Sequence, residues 1–135
     1  MDTKILEGNY KALSDLAGKD IVEWASRSGR TMKFEAHGMM DLHLECLYKN
    51  RISLTHYFEM NGDLVPDPDM EIELDPATKT AKAQHFQNQM GYWEVYPDGV
   101  VDIRQFRSQN EFLATWLSNT RGGAFKLVED KETEE

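Results

Sequence analysis

Cysteine is almost absent from this sequence: Cys46 is the only one, which excludes an internal disulfide framework. Long apolar runs are missing too, and nothing approaches the roughly 20 residues that cross a bilayer. The opening MDTKILEGNY lacks the basic start and apolar core of a secretory signal. These absences give a cytoplasmic expectation with no membrane partner. Basic residues are also short, with 15 Lys and Arg against 24 Asp and Glu for a formal charge of -9. The stretch VEDKETEE carries -4 of that, leaving -5 for residues 1–127. No cluster of Lys and Arg interleaves with aromatics, so nucleic-acid binding is disfavoured. A Gly-rich phosphate loop is lacking as well, because Gly122 and Gly123 follow a helical pattern instead of opening one. No cofactor is expected.

What is present is ordinary globular material: 135 residues, 40% hydrophobic and 29% charged. That length suits one domain, assigned to residues 1–127, followed by a disordered acidic tail over 128–135. A monomer or a small homo-oligomer is expected. Leu6, Tyr10, Leu13 and Ala17 recur at helical spacing, with Leu16 widening the stripe. Asp20 and Glu23 resemble a capping box for a short second helix. From residue 31 the period becomes two, and TMKFEA, MDLHLECLYK, RISLTHYFEM, DMEIELD, TAKAQHFQ, YWEVY and VVDIR read as an antiparallel meander. The four prolines are placed between strands. A last helix, SQNEFLATWLSNTRGG, has a capping box at Ser108 and Glu111, a stop at Gly122, and Phe112, Leu113, Trp116 and Leu117 as its buried stripe. Helices at both ends of an antiparallel sheet give an α+β fold with both helices on one face.

The acidic stretch NGDLVPDPDMEIELD invites a metal reading, but an EF-hand begun at Asp63 would carry Pro68 and Leu74 where the turn glycine and bidentate glutamate belong. On a strand, Asp69, Glu71, Glu73 and Asp75 form a row too widely spaced to wrap an ion, so no metal site is expected. His56 alternates with Ile52, Leu54 and Phe58 on an apolar strand face. It is either a structural ring bonded to backbone or a general base, with Glu59 and Tyr57 as neighbouring candidates. Asp41, His43 and Glu45 line one strand face as a chance ligand triplet, and Cys46 reads as packing.

EGNYKALSDL, through Glu7, Asn9, Tyr10, Leu13 and Leu16, resembles the opening of the YqiB-like bacterial family, a domain of unknown function. NEFLATWL is similar to that family's last helix at Asn110, Phe112, Leu113, Ala114, Trp116 and Leu117. PDMEIEL is similar to its strand at Pro68, Met70, Ile72 and Leu74. The chain departs from the family at Asp75, Pro76, Ala77 and Thr78, and Glu73 replaces an arginine. HYFEMNGDLVPDPDM also looks like blocks in uncharacterised bacterial mobile-element proteins. These likenesses imply a shared fold and supply no activity.

The expected function is a non-enzymatic protein-interaction module, because no catalytic constellation accompanies large residues such as Tyr92, Trp93 and Tyr96 in one short strand. The alternatives are a small enzyme or ligand-binding domain with a pocket around His56, and an acidic DNA mimic. An exposed aromatic patch favours the first, and a concave pocket holding His56 favours the second.

Overall fold

The helical spacing at the N-terminus becomes α1, Thr3–Ala17, and it ends at Gly18, whose φ of 75° lies in the left-handed region that glycine adopts freely. Leu6, Tyr10, Leu13 and Ala17 are buried along its inner face. The structure, a computed structural model, describes residues 3–120 and 123–132, and the side chains of these other than Phe58, Glu59 and Leu64.

A single further turn, α2, covers Ile21–Trp24 and sends Ile21 and Trp24 into the core. The expected Asp20–Glu23 capping box does not form. Asp20 sits at the N-cap but makes no side-chain cap bond, because its carboxylate accepts the Tyr10 hydroxyl instead, while Ser14 Oγ accepts the Ile21 N–H at 3.0 Å.

Burial first, and then the hydrogen bond to Asp20, push the Tyr10 phenol up to about 12 from 10.0. The folded state therefore keeps a proton that the unfolded chain loses. This contribution is complete below the unfolded value and disappears as pH rises toward the folded one. Between roughly pH 9 and pH 11, wild type is expected to lose about 1 kcal/mol more stability than Tyr10→Phe in urea titrations. Equal losses would show that the phenol ionises as freely in the fold as outside it.

The sheet has seven strands: β1 Arg30–Glu35, β2 Leu42–Tyr48, β3 Arg51–Met60, β4 Asp63–Asp75, β5 Thr80–Asn88, β6 Gly91–Glu94 and β7 Lys126–Glu132. Their order is β6-β5-β4-β3-β2-β1-β7, with every neighbouring pair antiparallel. The period-two pattern works as expected, since Met32, Phe34, Leu42, Leu44, Ile52, Leu54, Met70 and Ile72 share the buried face. Helix α3, Ile103–Ser118, lies against α1, and both pack over β5. The α+β fold with terminal helices on the sheet is thus the one observed.

Four local expectations are corrected. VVDIR is not a strand: a 3-10 turn at Pro97–Gly99 leads to Asp102, whose N–H donates to Val95 O at 2.7 Å and whose side chain accepts the Gln105 N–H at 3.1 Å. That N-cap starts α3 a turn and a half before Ser108, so Ser108 and Glu111 lie inside the helix. Pro66 lies within β4, opposite Tyr57, and Pro68 sits beside it at the irregularity facing His56. The acidic tail is a strand as far as Glu132, paired with β1 and tied by Glu132 to Arg27 at 2.9 Å and Arg30 at 3.3 Å. Gly122 and residues 133–135 lie outside the described residues.

Candidate functional site

His56 occupies the buried face of β3, opposite Leu42. Its Nε2 accepts the Trp116 indole N–H at 3.0 Å, and its Nδ1 lies 3.1 Å from Asp41 O, which fixes the proton on Nδ1. Both nitrogens are engaged, leaving no lone pair for a substrate proton. Trp116 and Phe125 cover the ring, with centroids 5.4 and 5.9 Å away. Tyr57 lies on the other face of the sheet, edge-on to His43 at 4.8 Å. The Glu59 side chain lies outside the described residues. His56 and Tyr57 therefore do not converge, and the backbone-bonded ring is the form that the structure adopts.

The polar face of the sheet is internally matched. Asp69 accepts Thr55 Oγ1–H, Glu71 lies 3.4 Å from Arg51 and 3.2 Å from His85, and Glu73 lies 3.5 Å from Arg51. Asp75 turns back to accept the N–H groups of Ala77 and Thr78, which lower its carboxyl below the usual value. Asp41 is 3.5 Å from Lys33, while His43 meets Tyr57, so the triplet drawn with Glu45 does not close around one point. Among the described residues, no three His, Cys, Asp or Glu side chains are grouped to hold an ion. Cys46 is buried and donates to Tyr48 O at 3.3 Å, and burial pushes its thiol up, away from thiolate chemistry.

The feature that the sequence concealed lies where β5 and β6 meet α3. Ile72 pairs with Ala83 while Glu71 pairs with His85, so Gln84 is an extra residue and β5 changes phase there. The phase change brings Phe86 onto the helix side, 5.1 Å from Phe112 and 6.2 Å from Trp93. Phe112 in turn lies 5.8 Å from Trp116, so one file of aromatic rings runs from Trp93 to His56. Its inner end is buried and its outer end is not. Trp116 is 7% exposed, but Phe112 is 41% and Trp93 38% exposed, correcting the expectation that Phe112 belongs to the buried stripe. A Cβ on Gly91 would lie 3.2 Å from the Trp93 ring, so glycine leaves room for the indole to lie across the turn.

These rings line a cleft of about 250 Å³ with Asn88, Gln105, Ser108 and Gln109. Gln109 Nε2 donates to Trp93 O at 2.9 Å and to Gln105 Oε1 at 3.0 Å, tying α3 to β6. Its Oε1 is buried and accepts no hydrogen bond from the described residues. A second depression, along the outer face of α3, shares Ser108 and Phe112 with the cleft and adds Ile103, Arg104, Arg107, Glu111 and Thr115. Beneath this surface, Asn110 Oδ1 accepts the Ala83 N–H at 2.9 Å and its Nδ2 donates to Phe106 O at 2.8 Å. Asn9 Nδ2 donates to Asn110 O at 3.3 Å, joining α1 to the same point.

No curated protein and no solved structure matches the chain. No helix among the described residues is long and apolar enough to cross a membrane. The likenesses to the YqiB-like family and to mobile-element proteins find no support in these comparisons. The family found instead spans α1 from Asn9 onward, all of α3, the buried asparagines and the aromatic file, and stops just before β7. Its match covers residues 9–125, and the chain accordingly belongs to the family described as Domain of unknown function (DUF6908).

Proposed function

We propose that this chain is one cytoplasmic domain that works as a non-enzymatic protein-interaction module, binding through the surface where β6 meets α3. The observation that carries this reading is the outer end of the aromatic file. Trp93 and Phe112 are partly exposed side by side with Phe86, and Met90 projects nearby at 86% exposure. Large apolar side chains left in water beside polar amides are the composition of an interaction surface. Engagement of both His56 nitrogens removes the main support for a pocket enzyme. Within the acidic row, Glu71 and Glu73 are paired with Arg51 and His85, which counts against that row as a phosphate-like array.

The test is affinity purification from the source cell with wild type and with Phe112→Asp, quantified by mass spectrometry, each protein first shown by thermal melting to be folded. A stoichiometric protein partner lost with Phe112→Asp is the expected result. A partner retained at full level by a folded Phe112→Asp, or a monomer that carries only a small molecule, overturns the proposal.

A further inference from the structure

The chemistry of the partner is partly written in the surface itself, given the module reading above. Five arginines lie among the described residues, and Arg27, Arg30 and Arg51 each meet a carboxylate. Arg104 and Arg107 form no ion pair with any described residue, and both are exposed on α3. In a chain of formal charge -9, these two guanidinium groups on one helix face outnumber the single carboxylate of the same depression, Glu111, and leave it with a net positive charge. They border the depression that shares Ser108 and Phe112 with the aromatic cleft, so the positive charge and the ring-lined hollow form one continuous surface.

The hollow has its own demands. Its volume of about 250 Å³ takes one large side chain and is too small for a folded element. Its walls are the rings of Phe86, Trp93 and Phe112, which favour another ring in offset or edge contact. Among the described residues the strand beside the hollow, β6, ends the sheet, the position at which an extended segment adds to a sheet.

We infer that the partner presents an extended acidic segment with a tryptophan or tyrosine between carboxylates. The ring enters the cleft formed by Phe86, Trp93 and Phe112. The flanking carboxylates meet Arg104 and Arg107. Aromatic anchors and arginines are the residue types that dominate binding energy at such contacts, and charge pairs at the rim set the choice among partners.

The experiment is selection of a random peptide library on phage against the full chain, followed by fluorescence anisotropy with the best peptide synthesised and labelled. Selected sequences are expected to share an aromatic residue flanked by Asp or Glu. Affinity should fall about tenfold or more in Arg104→Gln/Arg107→Gln and in Phe112→Ala, and should weaken as salt rises. The arginine variant alters exposed side chains only, so it decides the matter even if Phe112→Ala compromises the fold. Neutral or basic aromatic peptides that depend on Phe112 but ignore the arginines overturn this inference and leave the module standing. Peptides that ignore both sites, or no enrichment at all, overturn it as well, and the purification experiment then judges the module separately.

Discussion

Replacing Trp116 by alanine is expected to lower the unfolding free energy by about 3–5 kcal/mol, the range for deleting a large buried aromatic. Two losses combine. The indole is 7% exposed and packs against His56 and Phe112, so its removal leaves a void between α3 and the sheet. Its N–H is also the donor to His56 Nε2, which is left without that partner while its Nδ1 remains held by Asp41 O. Trp116→Phe separates the two effects, because it keeps a ring and removes the N–H. It should cost roughly 1–3 kcal/mol, the range for a buried acceptor deprived of its donor. Urea titration measures both. A loss below about 1 kcal/mol for Trp116→Ala would show that α3 is held by something other than this residue.

Asn110→Ala is expected to cost about 2–4 kcal/mol, although it removes little apolar surface. The mechanism is local. Asn110 Oδ1 accepts the buried Ala83 N–H, so a side chain of α3 serves the backbone of β5. Without the amide, that N–H has no acceptor, and Phe106 O loses a 2.8 Å donor. Asn110→Asp should also destabilise, since a carboxylate would face Phe106 O instead of a donor. Amide hydrogen exchange provides the sharper readout: protection at Ala83 should fall in Asn110→Ala before protection in β2 and β3 changes. Unchanged stability together with unchanged protection at Ala83 would sink this account.

The sequence made the regular parts of the molecule visible and hid the places where one part borrows from another. Alternation in LHLECLY and SLTH exposed the core face of β2 and β3, and the spacing of Leu6, Tyr10 and Leu13 exposed α1. VVDIR misled because two β-branched residues precede a capping aspartate, and the cap decides the local structure. The phase change at Gln84 has no periodic signature, so the position of Phe86 beside Phe112 was out of reach. His56 could be placed on the apolar face, but its donor lies 60 residues away on α3, where no local pattern points to it. Asn9 and Asn110 stood in recognisable motifs, yet only the fold explains why two amides are buried. The acidic composition of residues 128–135 argued for fraying, and as far as Glu132 pairing with β1 outweighed it.

That last pairing gives synthesis an order. β1 to β6 form by successive neighbours in the chain, whereas the outer edge of β1 waits for a partner about a hundred residues later. On the ribosome, a nascent chain that has already closed its meander still presents β1 with a bare backbone edge until residues 126–132 emerge. Loop-closure entropy makes such a distant contact slow relative to the hairpins that precede it. The exposed acids of β7 then become the outermost charges on that side, replacing a sticky edge with a repulsive one. A chain truncated before Lys126 would keep the earlier state permanently, as a nearly complete sheet that pairs with its copies instead of with itself.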